Sequence, residues 1–455
     1  MSSGPPNVLL VILDSARARN TSLHGYHRET TPFLDSFAKS ATQYTQARSP
    51  AGWSLPSHAS IFTGALPQEH KFNSLDSRLD TGVSIFEWLS NKGYSTGLFT
   101  DNPYLTDLDT GLSNGFDVVL NDKDLFPEGI SPAAFAEREG TGRLAFLRAA
   151  IKSDHPAESV LNGLAWTVKW RVPRLGEGTV FTQGFTYAKH FTEWRQSIKG
   201  PWAACINLMD THIPFRPADE YDVWTSDDTR AARKRINEDD IGEGEEWKYA
   251  LRENRYDGTI RQADAVIERI VGDLQSAGQI DDTLIIVTAD HGEGFGEHDP
   301  VTGNTYTGHD DNTPETLLHV PLISKAPSQN HAEVVDDPVG LVDFPDVVRA
   351  AVAGERPHFD TERTVLAGGL MDGDVVDVAY DRHESAGVSK YIRTDNDLWT
   401  VHVPTPRMEY LVDKKAPTDV VEDMASLSDA EVTYDADASV SEAAQQQLKA
   451  LGYTE

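Results

Sequence analysis

Ser54 stands at the predicted start of a helix, within the segment Trp53 to Gly64, WSLPSHASIFTG. Serine is a favourable N-cap residue, Pro56 falls in the first turn where its missing N–H is tolerated, and Gly64 is a typical terminator. The free backbone N–H groups and the positive dipole end of such a helix favour an oxyanion. The segment therefore predicts either a simple helix cap or a hydroxyl nucleophile, and other residues must decide between them.

Acidic residues follow two apolar runs of the chain. Asp14 comes directly after NVLLVIL, and Asp290 with His291 comes after TLIIVTA. Apolar runs separated by helical segments are typical of buried parallel strands, whose carboxyl ends form the ligand-binding edge of a sheet. Carboxylate and imidazole groups suit a hard divalent cation. We therefore predict a metal site of Asp14, Asp290 and His291, with the Ser54 hydroxyl beside it.

The elements that position these residues form an α/β pattern. Residues 1 to about 117 read as βα units, and residues 244–278 read as one long helix. Residues 122–198 carry separate helical patterns and are interpreted as an insertion or lid over the carboxyl edge. Their basic and aromatic segment, residues 165–171, is typical of packed core, with contact to a lipid or glycan as the alternative. Short strand patterns beyond about residue 366 predict a smaller antiparallel unit.

The predicted boundaries are as follows. Helices are expected at residues 32–40, 55–63, 84–91, 133–139, 142–151 and 185–198. The late strands are expected at residues 375–380, 390–394, 399–402 and 409–412.

Taken together, the motifs resemble the sulfatase family of the alkaline-phosphatase superfamily. The matching segments are residues 7–18, 56–64, 256–261 with Asp264, 288–298, 308–309 leading to 319–322, and 448–453. The resemblance implies an alkaline-phosphatase-like sandwich, in which a large, mainly parallel central sheet is flanked by helices. It also implies a small C-terminal α+β subdomain with an antiparallel sheet. The catalytic domain would cover residues 1–365 and the subdomain residues 366–455.

Departures from the family pattern are also informative. The family converts a Cys or Ser to formylglycine within a C/S-x-P-x-R signature, but His58 stands here in place of the Arg. Formylglycine at Ser54 is therefore doubtful. The Lys-x-His pair of the family is absent, and His309 follows Gly308 where many sulfatases have Lys. The pattern favours an unmodified hydroxyl with one divalent ion, Ca²⁺ or Mn²⁺ first, with Mg²⁺ or Zn²⁺ open.

The resemblance also assigns roles to four residues. Ser54 would attack sulfur or phosphorus in line and form a covalent seryl ester. His309, and His212 in the segment DTHIPF, would neutralise the non-bridging oxygens or protonate the leaving group. His58 would either hydrogen-bond the nucleophile or serve as a structural partner.

These roles predict a metal-dependent hydrolase of sulfate esters. The alternatives are a phosphomonoester, phosphodiester or phosphonate ester hydrolase with unmodified Ser54, a headgroup transferase, or a catalytically weak protein that binds anionic glycans. The substrate would be a small-molecule, glycan or lipid-headgroup ester.

Composition sets the background for these predictions. Acidic residues outnumber basic ones 72 to 40, which gives a formal net charge of −32. This diffuse acidity argues against nucleic acid as a partner and resembles that of halophilic proteins. Cys205 is the only cysteine, so intrachain disulfides are excluded. No apolar run approaches the ~18–20 residues of a membrane span. No signal-peptide pattern is present either, so we expect a cytoplasmic protein without a transmembrane anchor. The oligomeric state is not predicted.

Overall fold

The structure is a computed structural model. It describes residues 4–413 except residues 73–77, 107, 121–129, 131–142, 154, 172–182, 227–246, 299–304, 311, 372–373, 384–386, 394–397 and 405–410. The predicted helix at 133–139 and the C-terminal segment 448–453 lie outside the described residues.

An eight-stranded sheet forms the centre of the molecule. Its strands, in chain order, are β1 (Asn7–Leu13), β2 (Thr42–Arg48), β3 (Ser95–Phe99), β4 (Val118–Leu120), β5 (Trp202–Leu208), β6 (Thr283–Thr288), β9 (Leu322–Lys325) and β10 (Glu333–Gly340). Their spatial order is β10-β2-β9-β6-β1-β5-β3-β4. Only β9 pairs antiparallel with its neighbours, so the sheet is mainly parallel, as predicted. Strands β7 (Gly294–His298) and β8 (Thr305–Gly308) lie outside this sheet and form a separate antiparallel hairpin.

The three central strands are buried along their whole length. Every residue of β1, β5 and β6 is buried, and their mainly apolar sequences suit a sheet that helices cover on both faces. Cys205 lies within β5 as a free, buried thiol, in agreement with its apolar surroundings in the sequence. The three strands therefore hold the residues at their carboxyl ends in fixed positions.

Helices surround the sheet. They are α1 (Pro32–Phe37), α2 (Ser54–Thr63), α3 (Pro67–His70), α4 (Ile85–Asn91), α5 (Pro103–Thr106), α6 (Arg143–Lys152), α7 (Pro156–Arg171), α8 (Gln183–Ser197), α9 (Trp247–Ser276), α10 (Glu315–Leu318) and α11 (Phe344–Ala353). The described part of the predicted long helix is α9, which starts at residue 247. The Ser84 hydroxyl caps α4 by accepting from the Phe86 N–H, which agrees with the predicted start at residue 84. No helix in the described parts of the chain combines the length and apolar character that a membrane span requires.

The region 122–198 contributes a helical hairpin. Helices α6 and α7 pack against each other where Gly163 leaves room for the Phe146 ring, since a Cβ at Gly163 would meet that ring. Residues 165–171, which had been expected to lie between helices, instead form the last turns of α7. More of the insertion is therefore helical than the sequence predicted.

A second sheet follows the central one. It contains β11 (Val365–Met371), β12 (Asp374–His383), β13 (Gly387–Arg393), β14 (Leu398–Pro404) and β15 (Leu411–Asp413), all antiparallel to their neighbours. The predicted late strands overlap four of these, whereas β11 was not predicted. The small antiparallel C-terminal sheet is confirmed, and the division at residue 365 stays a prediction.

Candidate active site

Two neighbouring strands bring the predicted cation ligands together. Asp14 follows β1, and Asp290 follows β6 after one residue; the two strands run parallel with Ile12 opposite Thr288. One donor atom each from Asp14, Asp290 and His291 lies within 4.8 Å of the other two, and all three residues are buried. These three residues are the only such group of three or more ligands among the described residues.

The donor set fits a divalent cation. Asp290 Oδ2 is buried and has no hydrogen-bond partner among the described residues. Its nearest charged or imidazole neighbours are His291 Nε2 at 3.4 Å and His58 Nδ1 at 3.5 Å. A buried carboxylate oxygen without a hydrogen bond is costly unless a positive charge compensates it. A divalent cation bound by the two carboxylates and the imidazole would supply that positive charge.

The His291 ring is oriented so that Nε2 keeps a free lone pair. Its Nδ1 lies 2.8 Å from the Gly292 carbonyl oxygen, so Nδ1 must carry the hydrogen and donate it. Burial lowers the pKa of His291, which keeps the ring neutral. A neutral imidazole with a fixed tautomer is the form that ligates a metal.

Ser54 lies beside that lone pair. Its Oγ is 3.1 Å from His291 Nε2, and the residue is buried. The expected N-cap role is wrong: Trp53 is the N-cap, with φ −151°, and Ser54 is the first helical residue. Trp53 occupies the N-cap position, so Ser54 lies one residue inside the helix, with its hydroxyl beside a predicted cation ligand. The predicted helix end at Gly64 is confirmed, since Gly64 has φ 81°.

Two asparagine side chains hold Asp14. The amide nitrogens of Asn102 and Asn207 each lie 2.9 Å from Asp14 Oδ2. Burial favours the neutral acid, but nearby His212 and His291 and the Asn207 hydrogen bond outweigh it, so the pKa of Asp14 is lowered. Asp14 is therefore a carboxylate.

The His58 ring contacts the backbone of the nucleophile. Its Nδ1 lies 2.8 Å from the Ser54 carbonyl oxygen, one helical turn earlier, so Nδ1–H donates to that carbonyl. Its Nε2 is buried without a hydrogen-bond partner among the described residues. Of the two roles expected for His58, this contact matches the structural one, while a catalytic role stays a prediction.

His212 and His309 form a linked pair at the edge of the site. Their Nε2 atoms are 3.2 Å apart, and the ring centroids of His309 and His291 are 4.5 Å apart. His212 Nδ1 faces the Ile213 carbonyl at 2.6 Å and so carries a hydrogen. Its Nε2 is then an acceptor, which requires a hydrogen on the facing Nε2 of His309.

Glu293 completes this chain of contacts. Its Oε2 lies 3.2 Å from His309 Nδ1, and it is fully buried. Burial opposes both charges, but the pairing outweighs it: the pKa of Glu293 falls to about 2 and that of His309 rises. With both ring nitrogens donating, His309 is an imidazolium. Burial lowers the pKa of His212 to about 4, so His212 stays neutral.

The motif at 256–264 supports the loop after β1. The Tyr256 hydroxyl accepts from the Arg17 N–H at 2.8 Å and donates to the Ser15 carbonyl at 2.6 Å. Ser15 has φ 65°, a conformation that is costly for a residue other than glycine, and its N–H donates to Asp290 Oδ1 at 3.1 Å. Asp264 accepts from two N–H groups at the start of α1. Tyr256 therefore fixes the loop next to Asp14, and Asp264 fixes the start of α1.

Three residues of the site were missed as candidates from the sequence. Asn207 is a polar residue near the end of the apolar run Trp202–Leu208, and such an exception was a usable signal. Asn102 follows β3 at the same sheet edge. Glu293 stands two positions after His291, but its partner His309 is distant in sequence, so only the fold reveals their pairing.

Comparisons with known proteins agree with this architecture. The model of the Sulfatase family matches residues 6–351. Arylsulfatase K of Canis lupus familiaris is 24% identical over 363 residues, which cover 75% of this chain and 62% of that protein. The chain spans less than two thirds of this and the other first curated relatives that it matches.

Two solved structures are similar in fold. The phosphonate monoester hydrolase of Agrobacterium radiobacter has a TM-score of 0.59 at 19% identity, covering 87% of this chain and 88% of that one. The structure of BT4656 with its substrate D-glucosamine-2-N,6-O-disulfate has a TM-score of 0.55 at 15% identity, covering 90% and 91%. At these identities the likeness concerns the fold alone.

Proposed function

The chain belongs to the sulfatase family, and from this premise we propose that it is a hydrolase of ester bonds that cleaves sulfate esters with Ser54 as its nucleophile. The observation that carries the proposal is the 3.1 Å distance between Ser54 Oγ and His291 Nε2, within the candidate cation site. An ordinary serine is weakly reactive at neutral pH, so a nucleophilic hydroxyl needs an activating group nearby, and the candidate cation site is in that position here.

Members of the family typically bind a divalent metal ion. Asp14, Asp290 and His291 would hold it in this chain, with Ca²⁺ or Mn²⁺ as the first candidates. When bound, such an ion favours the ionised form of a neighbouring hydroxyl and neutralises charge on the attacked group. The amides of Asn102 and Asn207 keep the Asp14 carboxylate oriented for this task.

The histidine pair supplies the acid. The Ser54 hydroxyl releases its proton to water, and its oxygen then forms a bond to the sulfur of the ester as the bond to the leaving oxygen breaks. The leaving oxygen takes the Nε2 proton of His309, whose charge is stabilised by Glu293. Before the ester binds, His212 Nε2 accepts this hydrogen bond, and the leaving oxygen replaces His212 as the acceptor. Water then attacks the sulfur as its bond to the Ser54 oxygen breaks; one proton of the water goes to the Ser54 oxygen and the other returns to His309, which restores both residues and releases sulfate.

A phosphate or phosphonate ester is the second candidate substrate. His58 replaces the signature Arg of the family, and its Nδ1 is occupied by the Ser54 carbonyl. We therefore expect Ser54 to remain unmodified. A formylglycine hydrate can expel sulfate by elimination, whereas a seryl ester must be hydrolysed directly, and metal-assisted hydrolysis suits seryl phosphate. Passage of the group to an acceptor alcohol instead of water would make the protein a headgroup transferase.

The test is a panel of 4-nitrophenyl esters: sulfate, phosphate, phosphodiester and phosphonate. The wild type is assayed with Mn²⁺, with Ca²⁺ and with chelator, beside Ser54→Ala. Loss of the nucleophile in serine hydrolases typically lowers kcat by about 10⁴-fold or more, and we expect a loss of this order for Ser54→Ala. Ser60→Ala is the matched control, because Ser60 lies on the same helix but its hydroxyl contacts His70 Nε2 at 2.9 Å, and we expect it to keep activity.

The outcomes separate the candidates. Metal-dependent sulfate release that Ser54→Ala abolishes supports a sulfatase, and the mass of the Ser54 peptide then reports whether the residue has lost two hydrogens to become formylglycine. Turnover of phosphorus esters without sulfate turnover supports the second candidate. Full activity in Ser54→Ala contradicts both.

A further inference from the structure

The hairpin of α6 and α7 exposes apolar side chains. Leu147 and Ile151 on α6 are 43% and 60% exposed, and Leu161 and Leu164 on α7 are 44% and 56% exposed. Among the described residues, these are four of the eight large hydrophobic side chains that are exposed. Spacings of four and three residues put each pair on one face of its helix. Both helices thus present an apolar face to solvent.

The same hairpin reverses the charge of the molecule. Residues 143–171 contain five Lys or Arg and two Asp or Glu, in a chain with 40 basic and 72 acidic residues. Arg148 and Lys152 are exposed on α6, adjacent in sequence to the apolar pair Leu147 and Ile151. Helices that combine exposed apolar and basic side chains are typical of elements that lie in a membrane interface.

The topology attaches this hairpin to the edge that carries the candidate active site. The chain enters the region after β4, a strand parallel to β3, so it leaves from the carboxyl edge of the sheet. It returns through α8, where a Cβ on Gly184 would meet the carboxylate of Asp210, just beyond the carboxyl end of β5. Ser54 and the cation ligands lie at the same edge.

We propose that the α6–α7 hairpin docks this protein on an anionic phospholipid surface. Four half-exposed aliphatic side chains offer a few hundred Å² of apolar surface. This is less than the roughly 800 Å² per partner of a stable protein interface, so a second copy of the chain is a poor occupant. A bilayer needs no complementary shape, and its anionic headgroups match Arg148 and Lys152. At about 0.15 M ionic strength the Debye length is about 8 Å, so more distant acidic groups hardly oppose the contact.

Docking would also define the substrate class. If the hairpin lies on lipid, the carboxyl edge of the sheet faces headgroups, and the ester cleaved would be a lipid-headgroup ester. This second step depends on the proposed function, whereas docking itself does not.

The test is co-sedimentation of the full chain with vesicles of phosphatidylcholine, with and without phosphatidylglycerol, in the absence of any ester. We expect binding to the anionic vesicles and an affinity at least about tenfold lower for the variant Leu147→Gln/Ile151→Gln/Leu161→Gln/Leu164→Gln. The control is Val223→Gln/Val334→Gln, which changes side chains that are 54% and 59% exposed outside the hairpin and should bind like the wild type.

A second variant and a second assay keep the proposal falsifiable. Arg148→Glu/Lys152→Glu should lower affinity for anionic vesicles and leave the weaker binding to neutral vesicles unchanged, even if the fourfold variant misfolds. Circular dichroism and 4-nitrophenyl ester turnover report whether each variant is folded. Absence of wild-type binding, an equal loss in the Val223/Val334 control, or a dimer that only the hairpin variants dissociate would overturn docking. Vesicle binding without ester turnover would overturn the hydrolase proposal alone.

Discussion

Asn102 and Asn207 determine how Asp14 is presented to a cation. Both amides donate to Oδ2, which leaves Oδ1 directed towards Ser15 Oγ at 3.2 Å and His291 Nε2 at 3.9 Å. Partners of this kind orient a ligand and adjust its basicity without touching the metal. Their contribution should therefore appear in metal affinity.

We predict that Asn207→Leu weakens binding of Mn²⁺ or Ca²⁺ by about 10- to 100-fold. Leucine has a similar size but cannot donate to Asp14, so the carboxylate loses its orientation and its pKa rises. Isothermal titration calorimetry of the metal-free protein measures the change. Asn91→Ala, an exposed position at the end of α4, is the control and should titrate like the wild type. Equal affinities in all three proteins would show that the amide is dispensable.

At the scale of elements, the turn after His291 depends on a glycine. A Cβ at Gly292 would fall on the carbonyl oxygen of Thr316 in α10, and backbone cannot move aside as a side chain can. The Gly292 N–H also donates to the Leu317 carbonyl at 2.7 Å. The loop that carries two cation ligands is thus packed directly against α10.

We predict that Gly292→Ala lowers the free energy of unfolding by about 2 kcal/mol or more, because the two backbone segments must separate. Gly272→Ala is the matched control, since Gly272 lies within α9 with no atom close to its Cβ position. That change should instead stabilise by about 0.5–1 kcal/mol, as alanine is the better helix former. Urea unfolding curves of both variants measure these opposite signs; two shifts in the same direction would refute this explanation.

Local patterns predicted the elements better than their details. The apolar runs of β1 and β6 placed Asp14, Asp290 and His291 at one edge, and the described helix α9 lies within its predicted range. The N-cap of α2 was misassigned by one residue: serine is the better N-cap residue by type, but the helix begins at Ser54 and Trp53 takes the extended N-cap conformation. The pairing of Glu293 with His309 depends on a hairpin that brings distant residues together, which no local signal encodes.

At the scale of the molecule, a buried charged cluster joins the two sheets. Glu315 forms ion pairs with Arg48 of β2 at 3.1 Å and Lys390 of β13 at 3.3 Å, and accepts from the Tyr380 hydroxyl of β12 at 2.6 Å. All four residues are buried. Burial raises the pKa of Glu315, but Arg48 and Lys390 outweigh it and hold the pKa at about 2, below its usual 4.5.

We predict that Glu315→Gln destabilises the protein by about 3–5 kcal/mol at neutral pH, because two buried cations lose their partner. Since the folded pKa is depressed, the contribution of Glu315 is complete above pH 4.5 and is lost as the pH falls towards about 2. The difference between variant and wild type should therefore shrink over that range, as followed by urea unfolding at several pH values.

Glu333→Gln is the control for this cluster. Glu333 pairs with Arg356, whose side chain is 70% exposed, and surface pairs contribute about 0–1 kcal/mol. A destabilisation as large as that of Glu315→Gln would mean that loss of a carboxylate, and not burial of the cluster, sets the effect.

The position of β1 in the sheet has a consequence for synthesis of the chain. This first strand lies between β5 and β6, so its neighbours leave the ribosome only after residues 208 and 288 have been made. Until β5 is made, both edges of this strand, which is apolar from Val8 to Leu13, are unpaired, and one edge stays unpaired until β6 is made. Unpaired apolar edges are prone to aggregation and are commonly shielded by chaperones. The last neighbour to arrive is the one that brings Asp290 and His291. The nascent protein therefore cannot assemble its cation ligands, or any chemistry that depends on them, before β1 has paired with both of its neighbours.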